Sequence, residues 1–124
     1  MSPKPTNVIL VNNIDSNIYM TWLKVMEPIH KMTPKEMELA SKFIDSYITN
    51  KDNIVNAEML NDYVFSSENK RRIRLSLKMS PTYFQITMKG LKDKKFILDG
   101  KLNLQYVPEF DNRGNILLMF IIKQ

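Results

Sequence analysis

Residues 66–98 read SSENKRRIRLSLKMSPTYFQITMKGLKDKKFIL, and the fold turns on how this stretch is divided. Ser66 or Ser67 can cap a helix that carries Glu68 in its first turn, where an acid suits the helix dipole. Lys70, Arg71, Arg72 and Arg74 follow, while Ile73 and Leu77 share a face, and the pattern stops near Lys78 and Met79. Ser80-Pro81 repeats the start signature at once: a hydroxyl cap, then a proline whose fixed φ and missing N–H suit the first helical position. Phe84, Met88 and Leu91 then fall at i, i+4 and i+7, with Gly90 a modest interruption, and the second helix is expected to reach Lys94 or Lys95. Phe96-Ile97-Leu98 is a short strand candidate, and Asp99-Gly100 is a strong hairpin turn.

Two helices joined by so short a turn are held at a steep angle, and here Ile73 and Leu77 can meet Met79, Phe84, Met88 and Leu91. The run Ile73-Arg74-Leu75-Ser76-Leu77-Lys78-Met79-Ser80-Pro81-Thr82-Tyr83-Phe84, taken with Leu91, Phe96 and Ile97, resembles the winged helix-turn-helix superfamily of small bacterial and phage DNA-binding proteins. Arg74 stands where that pattern has a small residue. Lys78 and Lys95 stand where it commonly has glycine. The resemblance covers at most residues 33–122 and implies a mainly helical α+β domain with a small antiparallel hairpin or sheet near the C-terminus.

Outward from this stretch, Thr33-Pro34-Lys35-Glu36 is the clearest helix start in the chain, because Thr33 and Glu36 form a capping box around a proline at the first position. Met37, Ala40, Phe43, Ile44, Tyr47 and Ile48 recur at helical spacing, which predicts an amphipathic helix ending near Asn50. Before it, Ile18, Trp22, Val25 and Met26 predict a helix capped by Asp15 or Ser16 and disrupted at Pro28, with Trp22 as a core anchor. Asn53 to Phe65 reads as a shorter helix with Ala57, Leu60, Tyr63 and Val64 facing inward. Residues 1–14 read as an extended arm in which Val8 to Val11 adds an edge strand or docks on a neighbour. Towards the C-terminus, Leu102 to Val107 and Ile116 to Ile122 are expected as strands, separated by a turn at Asn112-Arg113-Gly114-Asn115. The expected organisation is an arm at 1–14 and one domain at 15–124, with the helix-turn-helix at about 67–95 and the wing strands at about 96–122.

The 124 residues suit one domain, and 44% hydrophobic against 25% charged residues lies inside the globular range. Charge is unevenly placed: residues 1–65 carry a net −2, residues 66–101 a net +7, and residues 102–124 balance. A field confined to one third of the chain suits a polyanion. Lysine-rich surfaces also arise as solvated faces, so the position of each cation matters. There are no cysteines, which excludes disulfide and thiol chemistry. The apolar run Val8 to Val11 is too short for a signal peptide or membrane span, so the expected setting is the cytoplasm, without membrane contact.

Catalytic signals are missing. His30 is the one histidine and has no second ligand at metal-binding spacing, so its expected role is structural, with no metal and no cofactor. Glu36, Glu38, Asp45, Glu58 and Asp62 are read as acids scattered over helical surfaces, and Ser76 and Ser80 have no histidine near them in sequence. The three glycines form no phosphate loop. The expectation is a protein that is not an enzyme.

In the helix-turn-helix arrangement, the face opposite Phe84, Met88 and Leu91 carries Thr82, Tyr83, Gln85, Ile86 and Lys89. These are the candidates for reading base edges: Gln85 suits adenine, Thr82 a base or phosphate, and Ile86 a thymine methyl. Arg71, Arg72, Arg74, Lys78, Lys92, Lys94 and Lys95 are candidates for phosphate contact. Arg113 joins them if the 108–115 turn is the wing, and Lys101 if the wing is the Asp99-Gly100 turn. The expected partner is double-stranded DNA, bound by a homodimer that regulates transcription or replication. The alternative is a structural or assembly protein, such as a small component of a phage particle or connector, whose partners are neighbouring subunits of a virion. Exposed Ile86, the Val8 to Val11 segment and nine methionines suit that second role.

Overall fold

Helix boundaries follow the local capping chemistry closely. The computed structural model describes residues 8–11, 18–110 and 116–119, with side chains described from 18 to 108. The chain runs β1 (Val8–Val11), α1 (Ile18–Val25), α2 (Glu27–His30), α3 (Pro34–Asn50), α4 (Ala57–Val64), α5 (Ser67–Ser76) and α6 (Pro81–Asp93). It continues through β2 (Ile97–Leu98), β3 (Lys101–Leu102), a 3₁₀ turn (Leu104–Tyr106), β4 (Glu109–Phe110) and β5 (Ile116–Met119). The described protein is therefore mainly helical with small antiparallel sheets, and none of its described helices is long and apolar enough to cross a membrane.

The strongest start signal forms as expected. Thr33 Oγ1 accepts from the Glu36 amide at 3.2 Å, and the Glu36 carboxylate accepts from the Thr33 amide at 2.8 Å, which closes the capping box. α3 is the central helix: α1, α4 and α6 all pack on it, and Leu39, Ala40, Phe43 and Ile44 are fully buried. Phe43 and Phe65 meet at 4.9 Å between ring centres, within the range of favourable aromatic pairs.

α1 ends at Val25, and Pro28 is accommodated in the first turn of α2, where a missing N–H costs nothing. The expected cap at Asp15 or Ser16 lies outside the described residues. Trp22 is buried, and its indole N–H donates to the Tyr106 carbonyl at 2.9 Å, tying α1 to the C-terminal part of the chain. His30 is buried as well. Its Nδ1 accepts from the Met32 amide at 2.9 Å, so the ring proton sits on Nε2, 2.6 Å from the Leu23 carbonyl. The residue thus fastens the turn after α2 to α1.

Four expectations need correction. The helix expected over Asn53 to Phe65 begins at Ala57, because Asn56 accepts from the Met59 amide and Ile54 still bonds back to Asn50 of α3. Within it Leu60 and Val64 face the core, whereas Ala57 and Tyr63 are exposed. The strand expected over Leu102 to Val107 is only two residues long, Lys101–Leu102, because Asn103 caps a 3₁₀ turn that swings Tyr106 into the core. Glu36 is buried, not spread on a surface.

The described strands form two separate sheets. β2 and β3 pair antiparallel through Ile97 opposite Leu102 and Leu98 opposite Lys101, around Asp99 and Gly100 at φ 54° and 74°. Positive φ at both central residues is what a two-residue hairpin turn of matching twist requires. The second sheet has the order β1-β5-β4, all antiparallel, with Val8 opposite Met119 and Phe110 opposite Ile116. The segment Val8 to Val11 is thus an edge strand of its own chain. Arg113 and the 112–115 turn lie outside the described residues.

Candidate functional site

The basic third of the chain folds into α5, a four-residue connection and α6. Ser66 Oγ accepts from the Asn69 amide at 3.2 Å and Ser80 Oγ from the Tyr83 amide at 3.1 Å, so each helix starts on a serine cap. Such caps contribute about 1 kcal/mol each.

Both helices also end alike. After α5, the Lys78 amide donates to the Leu75 carbonyl and the Met79 amide to the Arg74 carbonyl, each at 3.1 Å, with Lys78 at φ 55°. After α6, the amides of Lys95 and Phe96 repeat these bonds to Lys92 and Leu91, with Lys95 at φ 63°. This is the Schellman arrangement, whose left-handed residue is usually glycine. Lys78 and Lys95 therefore occupy glycine-like backbone, which costs about 1 kcal/mol for a residue with a Cβ. Arg74, the other departure from the winged-helix pattern, donates from Nη1 to the Met79 carbonyl at 3.1 Å and so braces the same turn.

α6 divides cleanly into two faces. Phe84, Thr87, Met88 and Leu91 are buried, whereas Thr82, Tyr83, Gln85, Ile86 and Lys89 are exposed. Ile86 is 63% exposed, which is high for an isoleucine on an otherwise polar face. All five candidate base readers thus lie together on one solvent-facing surface.

The C-terminal half of α6 is pinned from the inside. Lys94 forms an ion pair with the Glu36 carboxylate at the start of α3. Burial alone pushes the Glu36 carboxyl up, but the hydrogen bonds from Lys94 and Thr33 and the Lys94 charge together hold it below the ordinary carboxylate value. Gly90 leaves room for this carboxylate, since a Cβ there would overlap it. The apparent flaw in α6 is thus the place where α3 comes close.

The phosphate candidates fall into different environments. Arg71, Arg72, Lys78, Lys92, Lys95 and Lys101 are exposed. Lys94 is half-buried and paired with Glu36, and Arg74 is half-buried on the turn. Arg72 donates from Nη2 to Asn69 Oδ1 at 2.7 Å and to Ser46 Oγ at 3.2 Å. Asn69 in turn donates to the Val64 carbonyl at 2.8 Å, so Arg72 belongs to a network joining α3, α4 and α5.

Lys70 was not among the residues expected to meet phosphate, yet it lines a cleft between α5 and α6 together with Ser67, Arg71, Arg74, Pro81, Phe84 and Gln85. The signal was present in the spacing. Positions 67, 70, 71 and 74 form one helical stripe, and positions 81, 84 and 85 form the facing one. Among the described residues, no group of three or more His, Cys, Asp or Glu side chains is placed to hold a metal ion.

No protein-family model, curated protein or solved structure matches the chain.

Proposed function

We propose that this protein is a non-enzymatic winged-helix DNA-binding protein, with α5 and α6 as its helix-turn-helix and the β2–β3 hairpin as its wing. The observation that carries the reading is the exposed face of α6. It carries Thr82, Tyr83, Gln85, Ile86 and Lys89, with Arg71 across a cleft from Gln85, and the rest of α6 and the neighbouring segments of the chain add the exposed cations Lys78, Lys92, Lys95 and Lys101. In a major groove, the first group meets base edges and the second meets phosphates. Three residues separate the end of α6 from the hairpin, which leaves Lys101 on the proposed wing. The protein acts by occupying its site, as a regulator of transcription or replication. It works as a homodimer, because half-sites about one helical turn apart then present equivalent grooves. The strand order β1-β5-β4 leaves one edge of β1 without a partner among the described residues, which favours the arm as a dimer contact.

The test is binding to random duplex DNA across a salt series, followed by selection of preferred sequences. Affinity is expected to fall steeply with salt, and the selected site to be palindromic. No binding at low salt would overturn the reading.

A second reading has an observation of its own. Val55, Met59 and Tyr63 lie at i, i+4 and i+8 and are all exposed, as is Ile86 on α6. Such apolar surface suits packing against neighbouring subunits in an assembly, such as a phage particle or connector. That role predicts oligomers that persist in high salt, measured by sedimentation, with little affinity for duplex DNA.

A further inference from the structure

The cleft between α5 and α6 brings together three cationic side chains, Lys70, Arg71 and Arg74, and among the described residues no acid lines it. Glu68, the acid of α5, lines a different cleft on another side of the helix, with Tyr63, Ser66, Asn69 and Arg72. Like charges gathered without a counter-charge repel one another, and an anion relieves that repulsion. Buried Phe84 and the Pro81 ring supply apolar wall, while Ser67 and Gln85 add neutral hydrogen-bonding groups. The Arg74 bond to Met79 uses Nη1 and leaves its other donors available to the cleft. At about 240 Å³, the cleft is smaller than the roughly 300–1,000 Å³ of small-molecule sites. Its size suits one group of a larger polymer better than a whole metabolite.

We propose that this cleft is a phosphate-binding site, in which Lys70, Arg71 and Arg74 hold one phosphate group and the Gln85 amide donates to it from the rim. The phosphate's source, a backbone diester of duplex DNA, rests on the DNA-binding reading. The site itself rests on the cleft alone. One consequence reassigns a residue: Gln85 serves the backbone and gives affinity without sequence preference, which leaves base reading to Thr82, Tyr83, Ile86 and Lys89. Because Arg74 also braces the turn, a phosphate held here fixes the angle at which α6 meets the groove.

The experiment follows backbone and side-chain amide NMR signals of the full chain, titrated first with inorganic phosphate and then with a random 20-base-pair duplex. The signals of Ser67, Lys70, Arg71 and Gln85 are expected to move with both probes. In Lys70→Gln/Arg71→Gln, they are expected to stay still with inorganic phosphate. Duplex affinity of that variant should drop at least about tenfold at low salt, and its salt slope by about 2. Gln85→Ala should weaken all sequences alike. Lys35→Gln/Lys42→Gln, which removes the same charge from α3, is the control, and circular dichroism checks that each variant folds. Cleft signals that move with phosphate while the duplex fails to bind would keep the site and remove DNA as its source. Duplex binding with an unchanged salt slope in Lys70→Gln/Arg71→Gln would overturn the site and leave the DNA reading standing. Equal phosphate response in the α3 control and the cleft variant, or a change of selected sequence in Gln85→Ala, would also count against it.

Discussion

The cations packed around the two ends of α6 are used in opposite ways. At the C-terminal end, Lys94 is half-buried and neutralised by Glu36, with Gly90 making the space. At the N-terminal end, Lys70, Arg71 and Arg74 of α5 face a cleft without an acid among the described residues. The first cation holds the helix in place. The other three have no described acid across from them, and the proposed role of their field is to hold an anion from outside the chain, even as Arg74 also braces the turn. Charge counted along the sequence merges the two, and only the neighbour across the fold separates a fastening from a site.

The largest expected effect breaks the fastening. Lys94→Met leaves the Glu36 carboxylate buried without its partner and should cost about 2–3 kcal/mol, read as a lower urea midpoint at unchanged slope. Duplex affinity of the folded fraction should hardly change, because Lys94 faces inward. A loss of salt slope equal to that of an exposed lysine would merge the two ends again.

The pH dependence sharpens the same contrast. The folded Glu36 carboxyl is held below its ordinary value near 4.5, so its contribution is complete above that pH and is lost as pH falls through the depressed folded value. Urea stability measured between pH 7 and pH 3 should fall on the acid side in the wild type. Glu36→Gln should flatten the part of that fall due to this residue.

Adjacent arginines on α5 offer a finer test. Arg72→Gln should cost about 1 kcal/mol of stability, because its bonds to Asn69 and Ser46 are lost, with little change in DNA affinity. Arg71→Gln should do the reverse, leaving the urea midpoint in place and lowering the salt slope by about 1. Identical behaviour of the two would erase the distinction between the faces of α5.

The smallest effect concerns the backbone. Lys78→Gly and Lys95→Gly should each stabilise by about 0.5–1 kcal/mol, since glycine adopts positive φ without a steric cost. Denaturation midpoints check this. A drop in midpoint would mean that the lysine stems pack more than their exposure suggests.

Local chemistry was legible in the sequence. The capping box at Thr33, the serine starts of α5 and α6, the buried face Phe84, Met88 and Leu91, and the Asp99-Gly100 turn each depend on residues within a few positions of one another. Periodicity and capping act over one or two turns, so the chain states them directly. Contacts between distant elements were not legible. Glu36 and Lys94 are 58 residues apart, and Trp22 reaches Tyr106 across 84. Asn56 and Asn103 are recognisable as caps only once the neighbouring segments are placed, which is why α4 starts later than the spacing predicts and β3 is shorter.

The basic segment followed by a second capped helix was determined by sequence alone, because composition and helical spacing are properties of the chain. Which of its cations face a cleft, which are tied down, and why α6 tolerates Gly90 were decided by tertiary structure. A side chain's charge is intrinsic to the residue. Whether that charge is neutralised depends on what the fold brings within a few ångströms of it.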